Sequence, residues 1–110
     1  MSTAETHPTP VEAEVLAGAL PGPADPAERV AAAATAVPGV LRLHPGAFGE
    51  VATYLPGRRV AGVRLRQEGP VEVHVVVALR SDLQAVARAV HDAVRTVTAR
   101  EVHVVVADVD

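Results

Sequence analysis

The spacing of apolar and polar positions divides the chain into segments of different period. Residues 1–24 carry Pro8, Pro10, Pro21 and Pro23 among few large apolar groups, which predicts a mobile tail. Within it Val11, Val15, Leu16, Ala19 and Leu20 share one helical stripe, so a short helix over about Val11–Leu20 and a frayed tail both remain open. A folded domain is predicted over residues 25–110. It begins with a helix. Asp25 caps it, Pro26 takes the first helical position, and Glu28 stands where a capping box needs an acceptor. Val30, Ala33, Ala34 and Val37 then line one face, and Pro38-Gly39 ends the helix.

Val40–His44 alternates as a short strand, with Leu41 and Leu43 on one side and Arg42 and His44 on the other. Ala47–Arg59 shows no clean period. Val60–Arg66 alternates again, Gln67-Glu68-Gly69-Pro70 reads as a turn, and Val71–Leu79 alternates, so the last two runs predict a hairpin. Ser81, with Gln84 three residues on, predicts the cap of a second helix from Asp82 to about Val97. Leu83, Val86, Ala87, Val90, Val94 and Val97 form its apolar stripe. Gln84, Arg88, His91, Asp92 and Arg95 form its wet face. A last strand is expected over Glu101–Asp108. The fold class that follows is α+β: one small sheet of about four strands, built from a hairpin and a strand–helix–strand unit, with two main helices on one face.

The heptapeptide EVHVVVA occurs at Glu72–Ala78 and again at Glu101–Ala107. Each copy falls on a predicted strand, with the second helix between them. A right-handed crossover makes the two strands parallel. Val73, Val75, Val77, Val102, Val104 and Val106 then face the helix, and Glu72, His74, Glu101 and His103 face away, as do Arg64 and Arg66. Strands adjacent and in register would bring His74 and His103 to about 4.8 Å at the backbone. A shared zinc at ~2.1 Å would then be geometrically open, although two histidines on strands lack a diagnostic spacing, and no metal or other cofactor is expected. Neighbouring histidines would also repel when protonated near pH 6.5 or so, making assembly pH-sensitive. The flanks VALRSD and VVADVD do not align, so the repeat reads as one strand pattern reached twice. The outer face, with Arg64, Arg66, His74, Val76, His103 and Val105, is either a self-association surface or simply exposed.

Composition narrows the function classes. The chain has 110 residues with a single Phe and a single Tyr and no Trp, so its core must be built of Val, Leu and Ala. It has no Cys, which excludes disulfides, thiolate catalysis and cysteine-ligated metals. All ten basic residues are Arg, yet the formal charge is −3, which disfavours general nucleic-acid binding. The alternative to weigh is a small nucleic-acid module using Arg58, Arg59, Arg64 and Arg66, but no G-x-x-G loop of the KH kind is present. The start, MSTAETHPTP, lacks the layout of a secretory signal, and the longest apolar stretch, Val30–Leu41, is too short for a bilayer, so a cytoplasmic protein is expected. No G-x-S-x-G, P-loop, G-x-G-x-x-G or H-E-x-x-H occurs, and no catalytic residues are assigned. In the aperiodic stretch, Phe48 is assigned to covering one end of the core, while Tyr54, Arg58 and Arg59 are the candidate partner-binding residues.

The order of these elements resembles the alkaline shock protein family of bacterial envelope stress response proteins. The resemblance rests on V-P-G-V at residues 37–40, G-V-x-L at 62–65, L-x-x-V-A-x-x-V-x-x-x-V at 83–94 and V-x-V-V-V-x-x-V at 102–109. TYLPGRRV at residues 53–60 is similar to the form in members from GC-rich bacteria. It covers about residues 26–109. It implies a non-enzymatic cytoplasmic protein that takes no small-molecule substrate, self-associates as a homo-oligomer, and gathers beneath the membrane through a membrane-anchored partner. Many members carry Tyr-Gly before the second helix, where this chain has Ala78-Leu79-Arg80, and a Thr-Gly-Leu turn where it has Thr98-Ala99-Arg100.

Overall fold

A computed structural model describes residues 25–110. The expected tail and its short helix lie outside the described residues. The fold is α+β, with two helices, a four-stranded sheet and a separate two-stranded sheet. In chain order the elements are α1 (Pro26–Thr35), β1 (Val40–Leu43), β2 (Ala52–Leu55), β3 (Arg58–Ala61), β4 (Val63–Arg64), β5 (Val71–Val77), α2 (Leu83–Arg95) and β6 (Val102–Val109).

β5 is the organising strand. Along one edge it pairs in parallel with β6, as the crossover through α2 requires. Its other edge is shared end to end by two short antiparallel strands, β4 opposite Glu72–Val73 and β1 opposite Val75–Val77. Where these meet, His74 N–H donates to the Gly62 carbonyl (2.9 Å) and the His74 carbonyl accepts from His44 N–H (2.8 Å). The ladder therefore runs unbroken past the join, as buried backbone requires.

The inner face is a valine layer. Val71, Val73, Val75 and Val77 of β5, Val63 of β4 and Val102 of β6 pack against Ala27, Val30, Ala34 and Val37 from the α1 segment and Val86, Val90 and Val94 of α2. Burying each of these valines is worth roughly 1.5–3 kcal/mol before chain entropy opposes it. Small residues on α1 allow close approach. Gly39, with φ +98°, ends that segment where an added Cβ would come within 2.8 Å of Val86 Cγ2.

The structure corrects several expectations. There are two sheets rather than one, because the run Val60–Arg66 is broken at Gly62 (φ +86°), which turns the chain from β3 into β4. The aperiodic stretch and the first two residues of the Val60–Arg66 run form a hairpin, β2–β3, closed by Pro56-Gly57 with Gly57 at φ +76°. Leu41 does not join Leu43 on the inner side. The register shifts between Val40 and Arg42, and Leu41 is left 49% exposed. The cap of α2 is Asp82, not Ser81. Its carboxylate accepts from Ala85 N–H at 3.1 Å, and Leu83 at the start of the helix stays exposed. Asp25 caps α1 through Ala27 N–H (2.8 Å), but the Glu28 carboxylate turns away from the expected capping box to Arg58. Arg80, just before the α2 cap, adopts φ +77°, a conformation that costs a residue with a side chain.

Candidate functional site

The chain's aromatic residues both lie on one unit, the loop from His44 to Val51 and the hairpin β2–β3. Two glycines in left-handed conformation, Gly46 (φ +88°) and Gly49 (φ +75°), fold the loop back on itself. The Gly49 N–H donates to the Gly46 carbonyl (3.2 Å) and the Val51 N–H to the Pro45 carbonyl (2.8 Å). The Glu50 carboxylate fills the hollow. It lies 2.7 Å from where a Cβ on Gly46 would be, and it accepts from the Phe48 N–H at 2.9 Å. The backbone N–H groups of Glu50 and Phe48, helped by the Arg64 guanidinium, hold the Glu50 carboxyl below its ordinary pKa. A local charge thus fixes the loop that carries Phe48.

Phe48 is 94% exposed, which overturns its assignment to the core. Tyr54 is 72% exposed and stands directly opposite Arg59 in the β2–β3 ladder, so the two share a face. Arg59 reaches back to the Gly49 carbonyl (3.5 Å), tying that face to the loop beside Phe48. Phe48 is thus exposed next to the loop residue that Arg59 reaches, and Arg59 shares its strand face with the exposed Tyr54. Arg58, the expected companion of Arg59, is engaged elsewhere. Its guanidinium grips Glu28 of α1 in a two-pronged pair, Nε to Oε2 at 2.6 Å and Nη2 to Oε1 at 3.1 Å. This contact fastens the hairpin to the helix. A second tie is Thr53, whose hydroxyl donates to the Val63 carbonyl (2.7 Å) and accepts from Leu65 N–H (3.0 Å), capping β4.

The outer sheet face differs from the expected surface. His74 is not beside His103. In the parallel register Glu72 stands opposite His103, and His74 opposite Val105. The histidines are diagonal, roughly 8 Å apart at the backbone from strand spacing and a two-residue rise. His103 has a carboxylate of its own, with Glu101 Oε2 2.8 Å from Nε2, whereas Glu72 Oε1 stands 3.5 Å from His74 Nε2, a buried nitrogen that makes no hydrogen bond. The side-by-side placement expected for mutual repulsion or a shared metal is not formed. No group of three or more His, Cys, Asp or Glu suited to a metal occurs among the described residues.

Arg64 is half-buried, bonded to Glu72 (3.4 Å) and to the Glu50 carbonyl (3.2 Å). Val76 is 0% exposed. It lies beside Arg42, whose guanidinium crosses β5 to Asp110 at 2.9 Å. Of the expected self-association residues, Arg66, His103 and Val105 are exposed, whereas Arg64, His74 and Val76 belong to the folded chain. Comparison of the chain with protein-family models, curated proteins and solved structures finds no match. Among the described residues no helix is long and apolar enough to cross a membrane.

Proposed function

We propose that the chain is a non-enzymatic interaction module, a scaffold or adaptor that holds a protein partner on the Phe48–Tyr54–Arg59 patch. One observation carries this reading. A 94% exposed Phe sits on a loop braced by Glu50, and the adjoining hairpin ties to that loop through Arg59, whose cross-strand partner is the exposed Tyr54. Aromatics and Arg are the residues that most often dominate binding energy at protein interfaces, and a rigid support spares them the ordering cost of association. The resemblance to the alkaline shock family extends the proposal. The partner is then membrane-anchored, the protein is a cytoplasmic homo-oligomer, and the pair serves the envelope stress response.

The full chain used as bait on an extract that retains membranes tests this. Phe48→Ala, Tyr54→Ala and Arg59→Glu are each expected to release the partner, while Arg66→Glu keeps it. Retention of the partner by all of the patch variants overturns the reading. Capture that disappears with nuclease and falls steeply with salt overturns it in favour of nucleic acid.

A further inference from the structure

We infer that the chain dimerises by adding the free edge of β6 to the same edge of a second copy, antiparallel, about a two-fold axis at Val104. The inference gives the self-association proposed above its site and rests on that reading. Val71 N–H donates to the Glu101 carbonyl at 2.8 Å. In a parallel ladder alternate residues turn their backbone groups to the neighbouring strand. Glu101, His103 and Val105 therefore face β5, and Val102, Val104 and Val106 turn their N–H and C=O groups to the opposite edge. Among the described residues no strand pairs with that edge. β6 has eight residues, VHVVVADV, with neither Lys nor Pro to protect it. Its pairing with β5 is regular from Val102 to Val106 and shifts only beyond that point.

The occupant is a second copy because this run matches itself. A two-fold axis at Val104 sets Val104 opposite Val104, Val102 opposite Val106, and His103 opposite Val105 of the other copy. Every outward backbone group of the three valines then finds a partner, in about six hydrogen bonds. Apolar meets apolar on the helix side, and no like charges are opposed. Outside the regular run, Arg100 of one copy and Asp108 of the other come near one another at each end of the pair. In the single copy the Arg100 Nε and Nη2 donate to the Gly69 carbonyl on the β5 side, at 3.0 and 2.7 Å, so this end pair forms by a swing of the side chain. Val105, 40% exposed on the outer face, is covered by the neighbouring strand. The two sheets join edge to edge into one.

The test combines sedimentation of the full chain over a concentration series with amide exchange at matched concentrations. The expected result is a monomer–dimer equilibrium in which the amides of Val102, Val104 and Val106 gain at least tenfold protection and lose it on dilution. Val104→Pro removes an N–H that the β5 ladder does not use, and is expected to be monomeric where the natural chain is dimeric. Asp108→Arg is expected to weaken the dimer about tenfold with an unchanged circular dichroism spectrum. If Val104→Pro does not fold, the exchange data and Asp108→Arg decide. Edge protection independent of concentration means that another segment of this chain covers β6, and overturns the inference. A dimer of natural strength in Val104→Pro or Asp108→Arg places the interface elsewhere and leaves self-association standing. A monomer at every concentration overturns both.

Discussion

Gly62 is the residue on which the two-sheet arrangement turns, and its replacement by alanine is expected to be the costliest small change in the hairpin unit. It is buried at φ +86°, its N–H donates to the Val51 carbonyl (2.7 Å), and its carbonyl accepts from His74 N–H (2.9 Å). A Cβ there would lie 2.5 Å from Leu43 Cβ, 3.1 Å from His44 N and 3.3 Å from the His74 carbonyl oxygen. The left-handed conformation alone costs an L-residue roughly 1–2 kcal/mol. Forcing carbon atoms well inside their optimum of about 3.5–4.0 Å adds an overpacking cost of roughly 1–3 kcal/mol. The sum, about 2–5 kcal/mol, is a large part of the 5–15 kcal/mol or so that a domain has in total. Gly57 separates the two contributions. It has φ +76° but nothing within 4 Å, so Gly57→Ala pays only the conformational cost of roughly 1–2 kcal/mol. Urea unfolding of both variants measures the difference. Gly62→Ala is expected to lose at least about 1 kcal/mol more than Gly57→Ala. Equal losses would refute the close approach of β1, β4 and β5 at this corner.

Glu50 is expected to give the Phe48 loop an acid limit. Its pKa is lowered from 4.5, so its contribution is complete above that value and is lost as pH falls through the lower folded value. The Phe48 amide resonance should therefore titrate with a midpoint below 4.5, and Glu50→Gln should abolish the titration; a midpoint at or above 4.5 contradicts the bracing role. Arg80→Gly is expected to raise stability by about 0.5–1 kcal/mol in thermal unfolding, since relief of left-handed strain outweighs the added chain freedom. A loss of stability would show that the Arg80 side chain makes a compensating contact.

Periodic segments were legible from sequence because one side of each is buried. The alternation of β5 and β6 and the stripe of Val86, Val90 and Val94 follow from that constraint alone. The parallel pairing also followed, from the strand–helix–strand connection. The register did not. Matching heptapeptides suggest alignment of His74 with His103, yet the chain pairs Glu72 with His103, because loop length and packing set the offset. The β2–β3 hairpin was hidden by its lack of alternation, although Pro56-Gly57 between TYL and RRV is a two-residue turn signal. Phe48 was misread because large apolar residues are usually buried. The local signal was Gly46 and Gly49 with Glu50 between loop and strand, a combination that makes a tight loop and carries its residues outward. Arg58 and Arg59 are adjacent in sequence but on opposite faces of β3. Only their partners, Glu28 across the fold and Gly49 in the loop, separate a fastening role from a surface one.

The most direct measurement is photo-crosslinking from position 48 in the full chain, with a benzophenone side chain in place of the exposed phenyl ring, in cells whose membranes are retained. The expected product is a discrete protein adduct that survives nuclease. Adding Tyr54→Ala should reduce its yield at least tenfold, in line with the 2 kcal/mol or so that a central interface aromatic contributes. An adduct to nucleic acid alone, or a protein adduct indifferent to Tyr54, would contradict the assignment of this patch as the binding surface.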